Sequence, residues 1–218
     1  AGAYQPNAFS PDGYSPGPGA VSGVRHDADC HDPDWIIDGT ELNRVLAYWR
    51  AGGYHLDDEA PDGFAPGTVA PSAAPRAVQG FTQNLPPFAT AGEAFEVPCE
   101  LAYNGQPLSL LFRPQLPEGW SLVSAVVSKG SCEVNNGEIV VLGNLPVSPL
   151  ALTYRAASLP EDQGPFVVGT EAEVMELGMP EPQSIMATAV PAAVTVMRAG
   201  GAGLADVVAV LRILAGEP

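Results

Sequence analysis

A cluster of acidic residues in the first fifth of the chain has the spacing of a calcium-binding loop. Five carboxylates fall within thirteen residues, at Asp29, Asp32, Asp34, Asp38 and Glu41. Negative charges at this density need a counter-ion, and carboxylate oxygens with a backbone carbonyl among them are the ligands that Ca²⁺ prefers. The sequence therefore predicts a Ca²⁺ loop that is followed at once by a helix.

The cluster fits the second half of an EF-type loop of 12 residues better than the first half. With Glu41 at position 12, positions 9, 7, 5 and 3 are Asp38, Ile36 (through its backbone carbonyl), Asp34 and Asp32. Position 1 is then Cys30, a poor calcium ligand, and position 6, where glycine is usual, is Trp35. One inserted residue would repair the frame by making Asp29 the first ligand and Asp34 the third. The second ligand is then His31 or Asp32.

Residues 39–51 are predicted to form the helix that follows the loop. Apolar residues recur at the spacing of a buried stripe, at Leu42, Val45, Leu46 and Trp49. Asp38 is placed to act as the N-cap with Glu41 three residues on, and Gly52-Gly53 ends the helix. This capping box is an alternative role for two of the proposed ligands, but it does not account for Asp29, Asp32 and Asp34.

Residues 12–67 resemble dockerin-type calcium modules, and more closely a repeat of large secreted bacterial proteins. That repeat reads roughly D-x-N-x-x-D-W-x-I-x-x-x-E-L-x-R-V, followed by G-G-Y-H and by D-G-[FY]-x-P-G. The matching residues are Asp29, Asp34, Trp35, Ile37, Glu41, Leu42, Arg44, Val45, 52–55 and 62–67. The position of the asparagine is held by His31. The resemblance implies a loop that binds Ca²⁺ and suggests a paired site built from Asp57, Asp62 and Asp12.

The N-terminal arm, residues 1–26, is rich in Gly, Pro, Ser and Ala and has too few apolar residues to fold alone. Its residues 11–17 return as residues 61–67 with five of seven positions identical. We expect the arm to be held by calcium or by an adjacent subunit, and so to join identical chains into a homo-oligomer or homopolymer.

The remainder of the chain is predicted to be mainly β. Residues 27–67 form the dockerin-like calcium module, 68–75 a linker, 76–197 a β-sandwich and 198–218 a closing helical segment. Candidate strands are residues 77–82, 94–103, 108–113, 121–127, 138–142, 150–156, 166–173 and 192–197, without intervening helices. Asn104-Gly105 and Asn136-Gly137 are hairpin-turn dipeptides. Residues 116–120 (LPEGW), which precede a strand, resemble the Ig-like domains that accompany dockerins.

The C-terminal segment 204–215 (LADVVAVLRILA) is predicted to be an amphipathic helix. Val207, Val208, Leu211 and Leu214 form its apolar face. The segment is similar to the helix of a dockerin repeat, but residues 198–203 ahead of it carry no carboxylate. The sequence therefore predicts a dockerin-like helix that has lost its calcium loop.

The formal net charge of −16, from 25 acidic and 9 basic residues, argues against nucleic acid and anionic lipid as partners. No apolar run approaches the roughly 18 residues of a membrane span. The low Lys content and the calcium loop suit an extracellular protein, secreted or at the cell surface. Cys99 and Cys132 are compatible with either one disulfide or two buried thiols, and Cys30 is left over.

Several other functions were weighed against calcium binding. A zinc site from His26, His31 and His55 lacks ligand-pair spacing. Trp35, Trp49 and Trp120 could stack on a carbohydrate, although each has a simpler role as a core residue. The motifs G-x-S-x-G, H-E-x-x-H and the phosphate loop do not occur, which argues against an enzyme. The sequence favours a calcium-stabilised structural protein of an extracellular filament or cell-surface assembly over a docking module for a cohesin-like partner or an adhesive sandwich.

Overall fold

A computed structural model of the chain describes residues 2–6, 14–17, 19, 28–30, 35–57, 59–60, 63–67, 78–104, 107–142, 145, 148–177 and 181–198. The linker at 68–75 and the C-terminal segment 204–215 lie outside the described residues.

The described residues are mainly β, with one helix near the N-terminus. The helix is α1 (Gly39–Ala51). The strands before and just after it are β1 (Gly2–Pro6), β2 (Tyr14–Pro16), β3 (Ile36–Ile37), β4 (Tyr54–Leu56) and β5 (Phe64–Pro66). Those that follow are β6 (Val78–Asn84), β7 (Phe88–Thr90), β8 (Ala94–Tyr103), β9 (Pro107–Gln115), β10 (Ser121–Val127), β11 (Ser131–Asn135), β12 (Glu138–Leu142), β13 (Leu150–Ala157), β14 (Gly164–Phe166), β15 (Gly169–Glu176), β16 (Gln183–Met186), β17 (Thr188–Val190) and β18 (Val194–Met197).

Residues 78–198 form a β-sandwich of two five-stranded sheets. One sheet has the order β10-β13-β8-β6-β17 and the other β11-β12-β9-β15-β16, with a small sheet β14-β18-β7 beside them. Pairing is antiparallel except for β17 with β6 and β18 with β7. Alternate side chains of facing strands meet between the sheets, as Phe81 and Phe112 do at 5.7 Å. The predicted β-sandwich is confirmed.

The strand predictions were accurate where the apolar alternation is long. The bounds of β8, β10 and β12 agree with the prediction, and Asn136-Gly137 forms the turn between β11 and β12, both residues having a positive φ. The segment predicted at 166–173 is instead two strands, since Phe166 ends β14 and β15 begins at Gly169. The short strands β7, β11, β16 and β17, of three to five residues each, were not predicted.

Helix α1 adds a third layer on the outer face of the second sheet. Leu110 and Phe112 of β9 face the sandwich core, while Ser109 and Leu111 are also fully buried on the side where α1 packs. Strand β9 is therefore covered on both faces, which explains its run of consecutive apolar residues.

The helix bounds agree with the prediction, but the predicted buried stripe is wrong. Val45 is exposed, Trp49 is 72% exposed, and Leu42 and Leu46 are only half-buried. The buried positions are Gly39, Glu41, Asn43, Arg44 and Ala47. The helix is rotated in this way because its polar side chains find hydrogen-bond partners on the sheet and on the neighbouring hairpin, and a buried polar group is tolerated only when it is so paired.

Part of the N-terminal arm is held by the arm's own chain. Strand β1 pairs with β2 on one side and with β3 on the other, so that both of its edges are hydrogen-bonded. The backbone N–H of Tyr4 donates to the Trp35 carbonyl at 3.1 Å. These described contacts of the arm all lie within one chain.

The three cysteines are free thiols, so the Cys99–Cys132 bridge that the sequence left open is not formed. Cys99 lies in the core, and burial raises its pKa to about 12, although a hydrogen bond with Thr170 acts in the opposite direction.

Alkaline pH is expected to destabilise the fold through Cys99. Because the folded pKa of about 12 lies above the ordinary value of 9.0, the contribution of the neutral thiol is complete below pH 9 and is lost as the pH rises towards 12. The free energy of unfolding, measured by denaturant titration between pH 8 and 11, should fall by up to about 1.4 kcal/mol per pH unit from this group. The Cys99→Ala variant should have a flatter profile, and an equal slope in both proteins would refute the assignment.

Candidate metal centre

Asp29 is a buried carboxylate with one oxygen left unpaired. The residue is 5% exposed, and its Oδ2 accepts hydrogen bonds from the Tyr4 hydroxyl at 2.6 Å and from the Trp35 backbone N–H at 2.7 Å. Oδ1 is buried and has no hydrogen-bond partner. A buried anionic oxygen without a partner is costly, and a cation bound at Oδ1 would remove that cost.

Glu41 brings a second buried carboxylate to the same loop. Its Oε1 accepts from the backbone N–H of Cys30 at 2.6 Å, so it lies beside the residue that follows Asp29. Its Oε2 accepts from the Asp38 backbone N–H at 2.9 Å, while Asp38 Oδ1 accepts from the Glu41 backbone N–H at 2.8 Å. The capping box is thus formed, with both Glu41 oxygens accepting backbone hydrogen bonds.

Trp35 has the backbone conformation that the calcium-loop frame requires at position 6. Its φ is +68°, in the left-handed region where glycine is usual and where a bulky residue is strained. The ring is buried against Tyr4, with centroids 5.4 Å apart. Trp35 therefore takes the place of the usual glycine. Its ring gains an aromatic contact, and its backbone is strained.

This strain predicts an unusual order of stability for two variants of Trp35. Both Trp35→Ala and Trp35→Gly lose the ring and are expected to cost about 3 kcal/mol or more. Glycine should nevertheless be the more stable of the two by about 1 kcal/mol, because alanine retains the left-handed penalty. Thermal unfolding measures the difference. The control is Ala157, which lies in an extended strand, where replacing alanine with glycine should lower the stability. If glycine is also less stable than alanine at position 35, the assigned φ of Trp35 is contradicted.

Of the other proposed ligands, some lie in the described part of the chain and some do not. Ile36 lies in β3 and pairs with Ala3 of β1. Asp57 Oδ1 accepts from the Glu59 backbone N–H at 3.0 Å, which closes a turn in the β4–β5 loop. Asp12, Asp32, Asp34 and Asp62 lie outside the described residues. Within the part of the chain that the structure describes, no three His, Cys, Asp or Glu side chains are placed together to hold a metal ion.

The N-terminal end of α1 is fixed to the sandwich by a charged network around Arg113. The guanidinium contacts Glu138 at 2.8 Å and Glu173 at 2.6 Å, and it donates to the Thr40 hydroxyl at 2.7 Å. Asn43 of the helix also donates to Glu173, at 3.2 Å. Burial lowers the pKa of Arg113, but hydrogen bonds and charges from the two carboxylates outweigh it, and the net shift is upward.

The rest of the helix is held by Arg50 and by a close approach at Gly39. Arg50 donates to the carbonyls of Leu108 and Val141 at 2.6 and 3.0 Å, and burial lowers its pKa. At the other end, the Glu138 carboxylate occupies the space that a side chain on Gly39 would need. A negative charge at a helix N-terminus is favourable. The sandwich therefore fixes the helix that carries Glu41.

The network around Arg113 was missed in the sequence, and no local signal pointed to it. Its members come from α1, β9, β12 and β15, and are separated by 25 to 133 residues in the chain.

The aromatic residues divide into two groups. Trp35 and Trp120 are buried, and the Trp120 indole donates to Asp162 at 2.7 Å, so the expected core role is confirmed for both. The core role is wrong for Trp49, which is exposed on α1.

Of the three histidines considered for a zinc site, only His55 is described. It forms a hydrogen bond with the Gly67 carbonyl at 2.8 Å, whereas His26 and His31 lie outside the described residues.

Comparison with known proteins does not assign the chain to a family. It matches no family model and no curated protein. Among solved structures, it is similar to a C-terminal fragment of the major pilin GBS80 of Streptococcus agalactiae, with a TM-score of 0.37 and 7% identity over 54% of this chain and 55% of that fragment. It is also similar to AvmM, which catalyses macrocyclization in alchivemycin A biosynthesis, with a TM-score of 0.30 and 14% identity over 59% of this chain and 92% of that one. Likenesses at these scores define neither family nor function.

The structure contains, among the described residues, no helix of the length and apolar character needed to cross a membrane.

Proposed function

We propose that this protein is a secreted, calcium-stabilised structural protein that serves as a subunit of an extracellular filament or cell-surface assembly. The observation that carries the proposal is the buried, unpaired Oδ1 of Asp29 in a loop whose sequence contains further carboxylates. The left-handed φ of Trp35, at the position where an EF-type loop turns sharply, supports the same conclusion.

Calcium in this proposal has a structural role. Asp29 and Glu41 are the described side chains that would hold it, together with Asp32, Asp34, Asp38 and the Ile36 carbonyl in the predicted frame. When bound, the ion neutralises clustered carboxylates and thereby couples folding of the loop to the metal. The Arg113 network attaches the helix that follows the loop to the sandwich. Ordering of the loop by calcium would therefore also affect how this helix is held.

The proposal is tested by calorimetric titration with Ca²⁺ and by negative-stain microscopy with and without EGTA. We expect saturable binding with a Kd at or below the 10⁻⁴ to 10⁻³ M that is typical of extracellular modules. We also expect fibres or large particles that disperse in EGTA. Absence of calcium binding, or monodisperse small particles under both conditions, would refute the corresponding part of the proposal.

A second candidate function is that of a module that docks one cohesin-like partner. The exposed apolar face of α1 and the hairpin after it favours this function, since Val45, Trp49, Tyr54 and Leu56 are all exposed. Exposed apolar patches often mark protein–protein contacts. Such a module would form a calcium-dependent 1:1 complex and no polymer.

A further inference from the structure

The hairpins β1–β2 and β4–β5 are duplicates, displaced by fifty residues in the chain. Residues 1–17 and 51–67 are identical at eight of seventeen positions, namely at Ala1, Gly2, Tyr4, Pro11, Asp12, Gly13, Pro16 and Gly17 of the first copy. The strand registers correspond as well, since Tyr4 is opposite Pro16 and Tyr54 is opposite Pro66. The two hairpins differ in the part of the molecule on which each one is docked.

The first hairpin is docked on the acidic loop. Strand β1 pairs with β3, and the Tyr4 N–H donates to the Trp35 carbonyl at 3.1 Å. The Tyr4 ring lies 5.4 Å from the Trp35 ring, and its hydroxyl donates to Asp29 Oδ2 at 2.6 Å. These partners all lie in residues 29–37, between the first proposed calcium ligand and the N-cap of α1.

The second hairpin is docked on helix α1. The side chains of Arg44 and Tyr48 both donate to the Phe64 carbonyl at 3.0 Å. The ring of Tyr54, which is the equivalent of Tyr4, lies 6.0 Å from the Tyr48 ring and is 60% exposed. The helix is attached to the sandwich by the Arg113 network. These contacts connect the second hairpin to the sandwich through the helix and do not use the carboxylate of the loop.

Asp29 connects the first hairpin to the proposed ion through the two oxygens of one carboxylate. Oδ2 accepts from the Tyr4 hydroxyl and the Trp35 N–H, whereas Oδ1 is buried without a partner. An ion at Oδ1 would neutralise the charge and keep the carboxylate where Oδ2 meets the hairpin. Without the ion, the buried charge favours a loop that has opened to water. Such a loop no longer presents Oδ2 and the Trp35 carbonyl to β1.

We infer that the β1–β2 hairpin is controlled by calcium: it docks on the loop when the ion is bound and is released when the ion is lost, while β4–β5 stays docked in both states. The inference rests on the proposed calcium site and adds a conformational response that only one of the duplicated hairpins has. For an ion that binds only the docked form with a Kd of about 10⁻⁴ M, free Ca²⁺ at about 10⁻³ M raises the ratio of docked to released hairpin about elevenfold. Release would leave Ile36 and Ile37 of β3 without the strand that pairs with them.

Amide hydrogen exchange of the full chain, followed by NMR in about 1 mM free Ca²⁺ and in EGTA, tests the inference. The reporters are N–H groups that are hydrogen-bonded in the structure: Tyr4 and Gly17 in the first hairpin, and Asp57 and Gly67 in the second. We expect Tyr4 and Gly17 to exchange about tenfold faster in EGTA, because a two-stranded hairpin without a neighbour is only marginally stable. Asp57 and Gly67 should change by less than about twofold. Equal acceleration in both hairpins, or none in the first, would overturn the inference.

Tyr4→Phe removes the hydroxyl that joins the hairpin to Asp29 and keeps the ring against Trp35. At saturating calcium we expect the first hairpin of this variant to exchange at least about tenfold faster than in the native protein, since a hydrogen bond to a charged group is lost. Tyr54→Phe makes the same change at the equivalent, exposed position of the second hairpin, and should leave exchange in both hairpins unchanged. If Tyr4→Phe exchanges as slowly as the native protein, the link through Asp29 is refuted.

Calorimetric titration of the same samples with Ca²⁺ separates this inference from the proposed function. If the native protein binds Ca²⁺ and its first hairpin exchanges equally with and without the ion, the control of the hairpin fails while the calcium site stands. If no binding is measured, the calcium site itself fails and the inference fails with it.

Discussion

Replacing Asp29 with asparagine is expected to lower the calcium affinity of the loop at least tenfold, which corresponds to about 1.4 kcal/mol. Asparagine has nearly the same shape, and its amide oxygen can keep the hydrogen bonds from Tyr4 and from the Trp35 backbone. Its NH₂ group, however, replaces the buried Oδ1, and an amide nitrogen cannot ligate Ca²⁺. The loss is therefore specific to the metal, and calorimetric titration measures it directly.

Glu161→Gln is the matched control for this substitution. It removes one negative charge from an exposed position, and we expect it to leave the affinity unchanged within twofold. The melting temperature in EGTA should also be similar for Asp29→Asn and the native protein, or slightly higher for the variant, because a buried charge has been removed. If Asp29→Asn binds Ca²⁺ as the native protein does, the ion is not at Oδ1.

Replacing Arg113 with methionine is expected to destabilise the protein by about 3 kcal/mol. Methionine retains most of the volume but leaves Glu173, whose side chain is 5% exposed, without its cation, and it removes the hydrogen bond to Thr40. This cost lies at the lower end of the range for breaking a buried ion pair, because the Arg113 side chain is 27% exposed and water can reach the site. Denaturant unfolding at saturating calcium measures the change.

Two further variants define the origin of this effect. Arg155→Met makes the same change on an exposed strand position with one long hydrogen bond of 3.5 Å, and should cost less than about 0.5 kcal/mol. Arg113→Met combined with Glu173→Met should recover part of the loss, since the more deeply buried of the two uncompensated carboxylates is then absent and only the partly exposed Glu138 lacks its cation. Equal stabilities of Arg113→Met and Arg155→Met would show that the network does not fix α1.

The sequence was a good guide wherever structure depends on neighbours in the chain. The capping box of Asp38 and Glu41 and the glycine stop at Gly52 defined the bounds of α1, because these signals act within one helical turn. Long strands with alternating apolar residues, such as β8, were predicted equally well. In the candidate site, by contrast, Trp35 at position 6 counted against the frame because glycine is usual there, and its positive φ was found only in the structure.

The orientation of α1 could not be predicted in the same way. Apolar spacing located one face of the helix, and the structure buries a different face, which carries Asn43, Arg44 and Ala47. Periodicity shows which residues share a face but cannot identify polar groups elsewhere in the chain that would satisfy a buried arginine. The partners of Arg50 are backbone carbonyls, which have no sequence signature at all.

The amino-acid sequence by itself determined the β-sandwich and the capped helix α1, and it predicts an acidic loop that binds calcium. Tertiary structure alone decided that Asp29 is buried with an unpaired oxygen, that Arg113 joins the helix to the sheet, and that two hairpins fifty residues apart have the same register. The physical reason is range: capping, turns and alternation act between residues a few positions apart. Burial and charge pairing depend instead on which distant segments meet, and only the folded chain brings those together.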